Sequence, residues 1–264
     1  MSEDLGRPIR VVLFGGPVPG RAAPELMARL GSHPEIEVVG GVYEGPGLSW
    51  RTRIVEAFRR RGVLAPVALA FQAAQVFGPW FRSPQLSRKL RQQGAPVLAR
   101  CASFPDSSAP EVLERVRNWK PDLGIVDGSG QPGELLARIP RLGTLRTHYG
   151  TLPAYRGDKL TFWEVFNGEP TAGIAIQYLE TGIDTGAILR RGSVPIGRRG
   201  LATVDRELHA LGVDLCIAAV LDVKRGVTTP ESAGTMAGAS RYPQPGLWLV
   251  LRMFARRALE GARQ

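Results

Sequence analysis

At 264 residues, 44% hydrophobic and 22% charged, the chain has an ordinary globular make-up, long enough for one α/β domain with an appendage. Two cysteines, Cys101 and Cys216, exclude a disulfide framework or thiolate cluster and point to a reducing compartment. A formal charge of +10 suits nucleic acid, an anionic cofactor or a membrane surface and does not choose among them.

The opening MSEDLGRPIR lacks the cationic-then-apolar order of a signal peptide, so a cytoplasmic protein is expected. Ile9 to Phe14 predicts a buried parallel strand ending in Gly15-Gly16-Pro-Val-Pro-Gly20. A helical run from Pro24 to Leu30 and a second strand, Ile36 to Val39, complete a βαβ opening. Glycines after the first strand and Glu44 after the second imitate a dinucleotide fingerprint. The spacing, however, is Gly-Gly-x-x-x-Gly, and Pro17 and Pro19 remove two N–H donors. A tight strand-to-helix turn is the plainer reading, and a nucleotide-dependent enzyme of Rossmann type stays as an alternative.

Residues 51–100 read as an insertion. Val63 to Phe81 is nearly uncharged, holds Gln72 and Gln75, and has Pro66 and Pro79 near its ends. That composition makes a poor membrane span and predicts a buried helix or helical hairpin, with a surface-lying helix as the alternative because its flanks are basic. Glu111 to Trp119 predicts a helix capped from Ser107-Ser108, Pro121 to Val126 a strand, and Glu134 to Ile139 a short helix. Between the last two runs a polar loop, Asp127-Gly128-Ser129-Gly130-Gln131-Pro132.

The most informative stretch runs from Gly143 to Gly186. His148 is expected to open a loop at a strand end, Pro153-Ala-Tyr155-Arg156-Gly157 turns the chain toward a helix around Leu160–Phe166, and Asp184 sits in TGIDTG after the alternating run Gly173 to Tyr178. An imidazole and a carboxylate at strand ends suit proton transfer. Ala187–Leu189 and Ser193–Ile196 predict strands near a sheet edge, and Thr203 is placed to cap a helix carrying Leu208, Leu211, Leu215 and Ala219, with His209 on its surface. Residues 225–245 read as an extended tail. Gly246 to Leu259 predicts a terminal helix with Arg252, Arg256 and Arg257, docked on the protein itself or, through residues 246–260, on a membrane surface or partner. No metal-ligand cluster, internal repeat or P-loop is found.

His148-Tyr-Gly-Thr-Leu-Pro153-Ala-Tyr155-Arg156-Gly157, Asn167-Gly168-Glu169, Thr171-Ala-Gly173 and Gly182-Ile183-Asp184-Thr-Gly186 resemble the formyltransferase family that uses 10-formyltetrahydrofolate. The resemblance is strong over residues 121–196. It implies an α/β, Rossmann-like formyltransferase fold: a mostly parallel sheet flanked by helices, with a helical insertion and a C-terminal helical tail. The catalytic domain would be residues 1–224 and the tail 225–264.

The resemblance further implies that His148 and Asp184 are catalytic and that Asp127, Gly128, Ser129, Gly130, Gly182 and Ile183 contact the folate donor. Gly15, Gly16, Tyr155, Arg156 and Gly157 would then face the acceptor. Where the family carries Asn two residues before the His, this chain has Arg146, and its two asparagines, Asn118 and Asn167, offer no substitute. Arg146 joins the catalytic candidates as an oxyanion donor, or as a cation that disarms Asp184. Fewer than 70 residues follow Ile196, which disfavours a tRNA acceptor and favours a small-molecule amine. A non-catalytic, ligand-binding relative is the alternative within the family.

Overall fold

In the computed structural model the described residues are 6–16, 23–44, 92–127, 132–180, 185–234 and 240–262. Most of the expected 51–100 insertion lies outside them, and residues 92–98 are helical. The chain divides into two compact units, Met1–Thr144 and Leu145–Gln264.

The first unit holds β1 (Ile9–Gly15), α1 (Ala23–Ser32), β2 (Ile36–Glu44), β3 (Cys101–Phe104), α2 (Pro110–Asn118), β4 (Leu123–Asp127) and α3 (Glu134–Ala137). Its strands run β3-β2-β1-β4 and every pairing is parallel. Continuous apolar runs fit that pattern, since a parallel sheet is covered on both faces. Val12, Phe14 and Val42 pack with Val112, Leu113 and Val116 of α2 and Leu136 of α3.

β2 continues five residues past the expected end at Val39. Gly40-Gly41 looks like a stop, but a Cβ on Gly40 would strike the Trp119 ring at 2.7 Å, and one on Gly41 would lie 2.5 Å from Cys101 Sγ. Both glycines make room for neighbours inside the sheet. Nor is α2 capped by a serine: Ala109 is its N-cap without a side-chain bond, and Ser108 binds Asp106 through N and Oγ.

The second unit holds β5 (Thr144–Tyr149, whose first residue closes the first unit), β6 (Tyr155–Gly157), α4 (Leu160–Asn167), β7 (Thr171–Tyr178), β8 (Ile188–Pro195), α5 (Leu201–Arg225), β9 (Ser240–Tyr242) and α6 (Leu247–Ala262). Here the order is β5-β7-β8, all antiparallel, with β8 at the edge as expected. α5 starts at Leu201 behind Gly200, so Thr203 lies within its first turn. It packs on β7 and β8, with Leu211 and Leu215 lying over Gly192 of β8. Gly212 sits where a Cβ would come within 2.7 Å of Ile174 and 3.3 Å of the Tyr149 hydroxyl, so the helix lies close to the sheet.

The tail beyond residue 225 is tied into this unit. Ile188 and Glu231 exchange backbone hydrogen bonds of 2.7 and 2.8 Å, and β9 pairs in parallel with β6. α6 buries Val250 and Met253 and exposes Trp248, Leu251 and Phe254. Among the described residues no helix is long and apolar enough to cross a membrane.

Candidate active site

β5 positions two of the three expected catalytic residues. Side chains two apart on a strand point to the same face, which puts Arg146 and His148 together. Their partners across the ladder, Gln177 and Ala175, share that face, because directly opposed residues of an antiparallel pair do. The other face carries Thr147 and Tyr149, and Tyr149 stacks on His209 of α5 with ring centroids 4.4 Å apart. His209 Nδ1 also donates to the Asp205 carbonyl at 2.5 Å, which occupies that imidazole structurally on its helix.

His148 lies inside the ladder rather than on a loop, because β5 stays paired with β7 as far as Tyr149. Its side chain is 5% exposed, and Nε2 donates to the Tyr155 carbonyl at 2.9 Å. A carbonyl only accepts, so in the neutral ring the proton sits on Nε2 and the lone pair on Nδ1. The fold thereby sets the tautomer.

Tyr155, Arg156 and Gly157 form β6. The Arg156 side chain is buried, and its guanidinium donates to the carbonyls of Pro153, Ala233 and Gly234. Gly157 adopts φ +113°, and a Cβ there would overlap the Tyr242 backbone, so glycine is needed for the β6–β9 pairing. Tyr155 stacks on Tyr242 at 4.9 Å, and its hydroxyl donates to Glu169 at 2.6 Å. Burial first, then that bond, push its phenol pKa up. Much of what the turn motif offers is spent joining the tail to the segment after His148.

Glu164 was not among the candidates. It is 0% exposed on α4, where it is the one charged residue of LTFWEVFN. Oε1 accepts from Thr151 N at 2.8 Å, Thr151 Oγ1 at 2.7 Å and Gly173 N at 3.0 Å, while Oε2 has no hydrogen-bond partner among the described residues. Thr151 covers Gly173 so closely that an added methyl would overlap it. By strand parity that is the Arg146–His148 face of β7. Burial pushes the Glu164 carboxyl above its ordinary range, and the donors from Gly173 and Thr151, then the charge of His148, pull it back.

Gly15 ends β1, where an added Cβ would overlap the Tyr43 ring, and Gly16 follows it. Asp127 ends β4. Gly128, Ser129, Gly130, Gly182, Ile183 and Asp184 lie outside the described residues. Among the described residues no group of three or more His, Cys, Asp or Glu side chains is placed to hold a metal.

A family model described as formyl transferase matches residues 82–220, just over half the chain. The chain belongs to the formyl transferase family. This family uses 10-formyltetrahydrofolate as its donor. Methionyl-tRNA formyltransferase of Synechocystis sp. is 28% identical over 84% of this chain and 58% of its own length. That of Trichlorobacter lovleyi is 33% identical over 59% and 48%. The chain thus spans about half the length of the curated relatives it matches.

Among solved structures, glycinamide ribonucleotide transformylase 1 from Symbiobacterium toebii superposes with a TM-score of 0.55 at 16% identity, over 84% of this chain and 90% of that one. HypX from Aquifex aeolicus in complex with tetrahydrofolic acid does so with a TM-score of 0.53 at 18% identity, over 90% and 30%. These likenesses bear out the expected Rossmann-like formyltransferase fold, and the family membership bears out the resemblance read from the motifs.

Proposed function

We propose that this formyl transferase moves a formyl group from 10-formyltetrahydrofolate to an amine of a small molecule. The observation that carries the reading is the pairing of Arg146 and His148 on one face of β5, inside the segment matched by the family model. This donor set fits the formyl end of the folate: a permanent cation and an imidazole of fixed tautomer stand two residues apart on one rigid strand. When bound, the donor supplies a formamide carbon open to attack by an amine.

The chain's residues then do three things. The Arg146 guanidinium donates hydrogen bonds to the formyl oxygen as negative charge develops there. His148, held through Nε2 by the Tyr155 carbonyl, presents Nδ1 as the nitrogen that receives the amine's proton from Asp184 and gives it to the tetrahydrofolate nitrogen as the bond from that nitrogen to the formyl carbon breaks. Asp184 takes the proton that the attacking amine sheds. Glu164 acts through the loop: by gathering Thr151 and Gly173 on Oε1 it fixes the chain that leaves His148.

The test is a turnover assay of the full chain with 10-formyltetrahydrofolate, offered a panel of small amines and, separately, charged initiator tRNA. Formylation of a small amine, lost in His148→Asn, is the expected result; formylation of the tRNA alone would overturn the acceptor class. A second reading, a folate-binding relative without turnover, draws on the burial of His148 and on Arg146 replacing the family's Asn. Folate binding by calorimetry with no transfer to any acceptor would favour it.

A further inference from the structure

In the first unit a cavity of about 530 Å³ opens where β1 and β4 begin. Arg7 and Arg10 enter from the start of β1, Arg117 and Lys120 from the end of α2, Asp122 from the turn into β4, and Arg141 from the turn after α3. The remaining lining is Pro121 and Ile139.

Asp122 sits at the base, 5% exposed, and organises the wall. Its Oδ1 accepts from Arg7 Nη2 at 3.2 Å and from Arg141 Nε and Nη2 at 3.3 and 3.0 Å, and its Oδ2 accepts from the Arg10 amide at 3.0 Å. Backbone bonds pin the same turns: Asp122 N to the Arg10 carbonyl at 2.8 Å and Leu142 N to the Asp122 carbonyl at 2.7 Å. The Arg10 side chain spans Glu37 and the Trp119 carbonyl, answering the partial negative charge of the α2 C-terminus, and its buried Nε has no hydrogen-bond partner among the described residues.

Five cations therefore face one carboxylate in the lining. Arg7, Arg10 and Arg141 are held in ion pairs, whereas Arg117 and Lys120 have none among the described residues. Like charges crowded into a concavity repel, and an anion relieves the repulsion. Planar guanidiniums anchored from behind by a carboxylate suit the oxygens of a phosphoryl group.

We propose that this pocket binds a phosphoryl-rich anion, whether a free pyrophosphate-like group or the phosphates of a nucleic-acid strand. The site stands apart from the formyl-transfer reading and does not depend on it.

Calorimetry of the full chain with sodium pyrophosphate, with sodium sulfate and with an RNA oligomer of arbitrary sequence tests it, each probe against parent and Arg117→Gln/Lys120→Gln. Those two exposed side chains have no ion pair among the described residues, so the variant should melt with the parent. The expected result is pyrophosphate binding that weakens with salt and falls about tenfold or more in the variant, the loss of one or two charge-assisted hydrogen bonds. A comparable fall for RNA, with pyrophosphate at background, assigns the pocket to nucleic-acid phosphates. Equal affinities of parent and variant for every probe overturn the site, and sulfate binding as tightly as pyrophosphate reduces it to unspecific charge attraction.

Discussion

Asp122 and Glu164 are both buried carboxyls that accept several hydrogen bonds, yet the two units use them in opposite ways. Asp122 is met by guanidiniums and serves as the hub of a basic wall. Glu164 receives neutral donors on one oxygen only, and it feels His148 at a distance. A carboxyl surrounded by cations organises charge, whereas one surrounded by amides in a dry setting holds backbone and keeps a proton more readily.

The largest effect that sharpens this contrast concerns Arg146, the arginine that shares a face with His148. Arg146→Ala is expected to lower turnover by about 10²–10³, the usual cost of one oxyanion donor, with a smaller change in folate affinity. Arg146→Asn, which restores the family's residue, should retain or raise turnover. Steady-state kinetics that leave both variants equal to the parent would remove Arg146 from the chemistry.

Next in size is Glu164→Ala, which strands the buried amides of Thr151 and Gly173 and should cost about 3 kcal/mol in urea unfolding. High salt should not repair it. Asp122→Asn is the counterpart: its arginines are half exposed, so the loss should be about 1 kcal/mol and should shrink in 1 M salt. If both variants respond alike to salt, the two carboxyls do the same job and the contrast fails.

The smallest effect is a dependence on pH. Because the Glu164 carboxyl is raised in the folded chain, the native state holds its proton more tightly than the unfolded one. Its burial therefore carries no penalty below the ordinary value of 4.5, and stability falls as pH rises from there through the folded pKa. Glu164→Gln should lack this fall, so the melting-temperature difference between Gln variant and parent should move in favour of the variant as pH increases. A difference flat from pH 4 to 8 would contradict the raised carboxyl.

Much of the fold was legible in the sequence because its signals are local. The apolar run at Ile9 and the run from Pro121 to Val126 each report their own strand, and the motif order around His148 named the family. What escaped depends on partners far along the chain. β8 looked like two strands because its phase slips: Gln177 pairs with Ile188 but Ile176 with Arg190, so the alternation changes face between them. Nothing in the sequence singles out Glu164, because glutamate on a helix usually faces solvent, although its apolar frame of Phe162, Trp163, Val165 and Phe166 is a usable warning. The cations around Asp122 come from positions 7 to 141, and no spacing rule joins them.

Tyr155 holds together two things that the sequence separates by more than ninety residues, His148 and the Ser240–Tyr242 strand. Its carbonyl receives the His148 imidazole, while its ring stacks on Tyr242 and its strand pairs with Ser240–Tyr242. Trp163 Nε1 continues the seam by donating to the Pro243 carbonyl at 2.9 Å, and Arg252 lies 5.9 Å over the Phe166 ring. The C-terminal segment is thus moored to the backbone that grips the imidazole, and whatever tugs on α6 pulls on a line whose other end is the proton carrier.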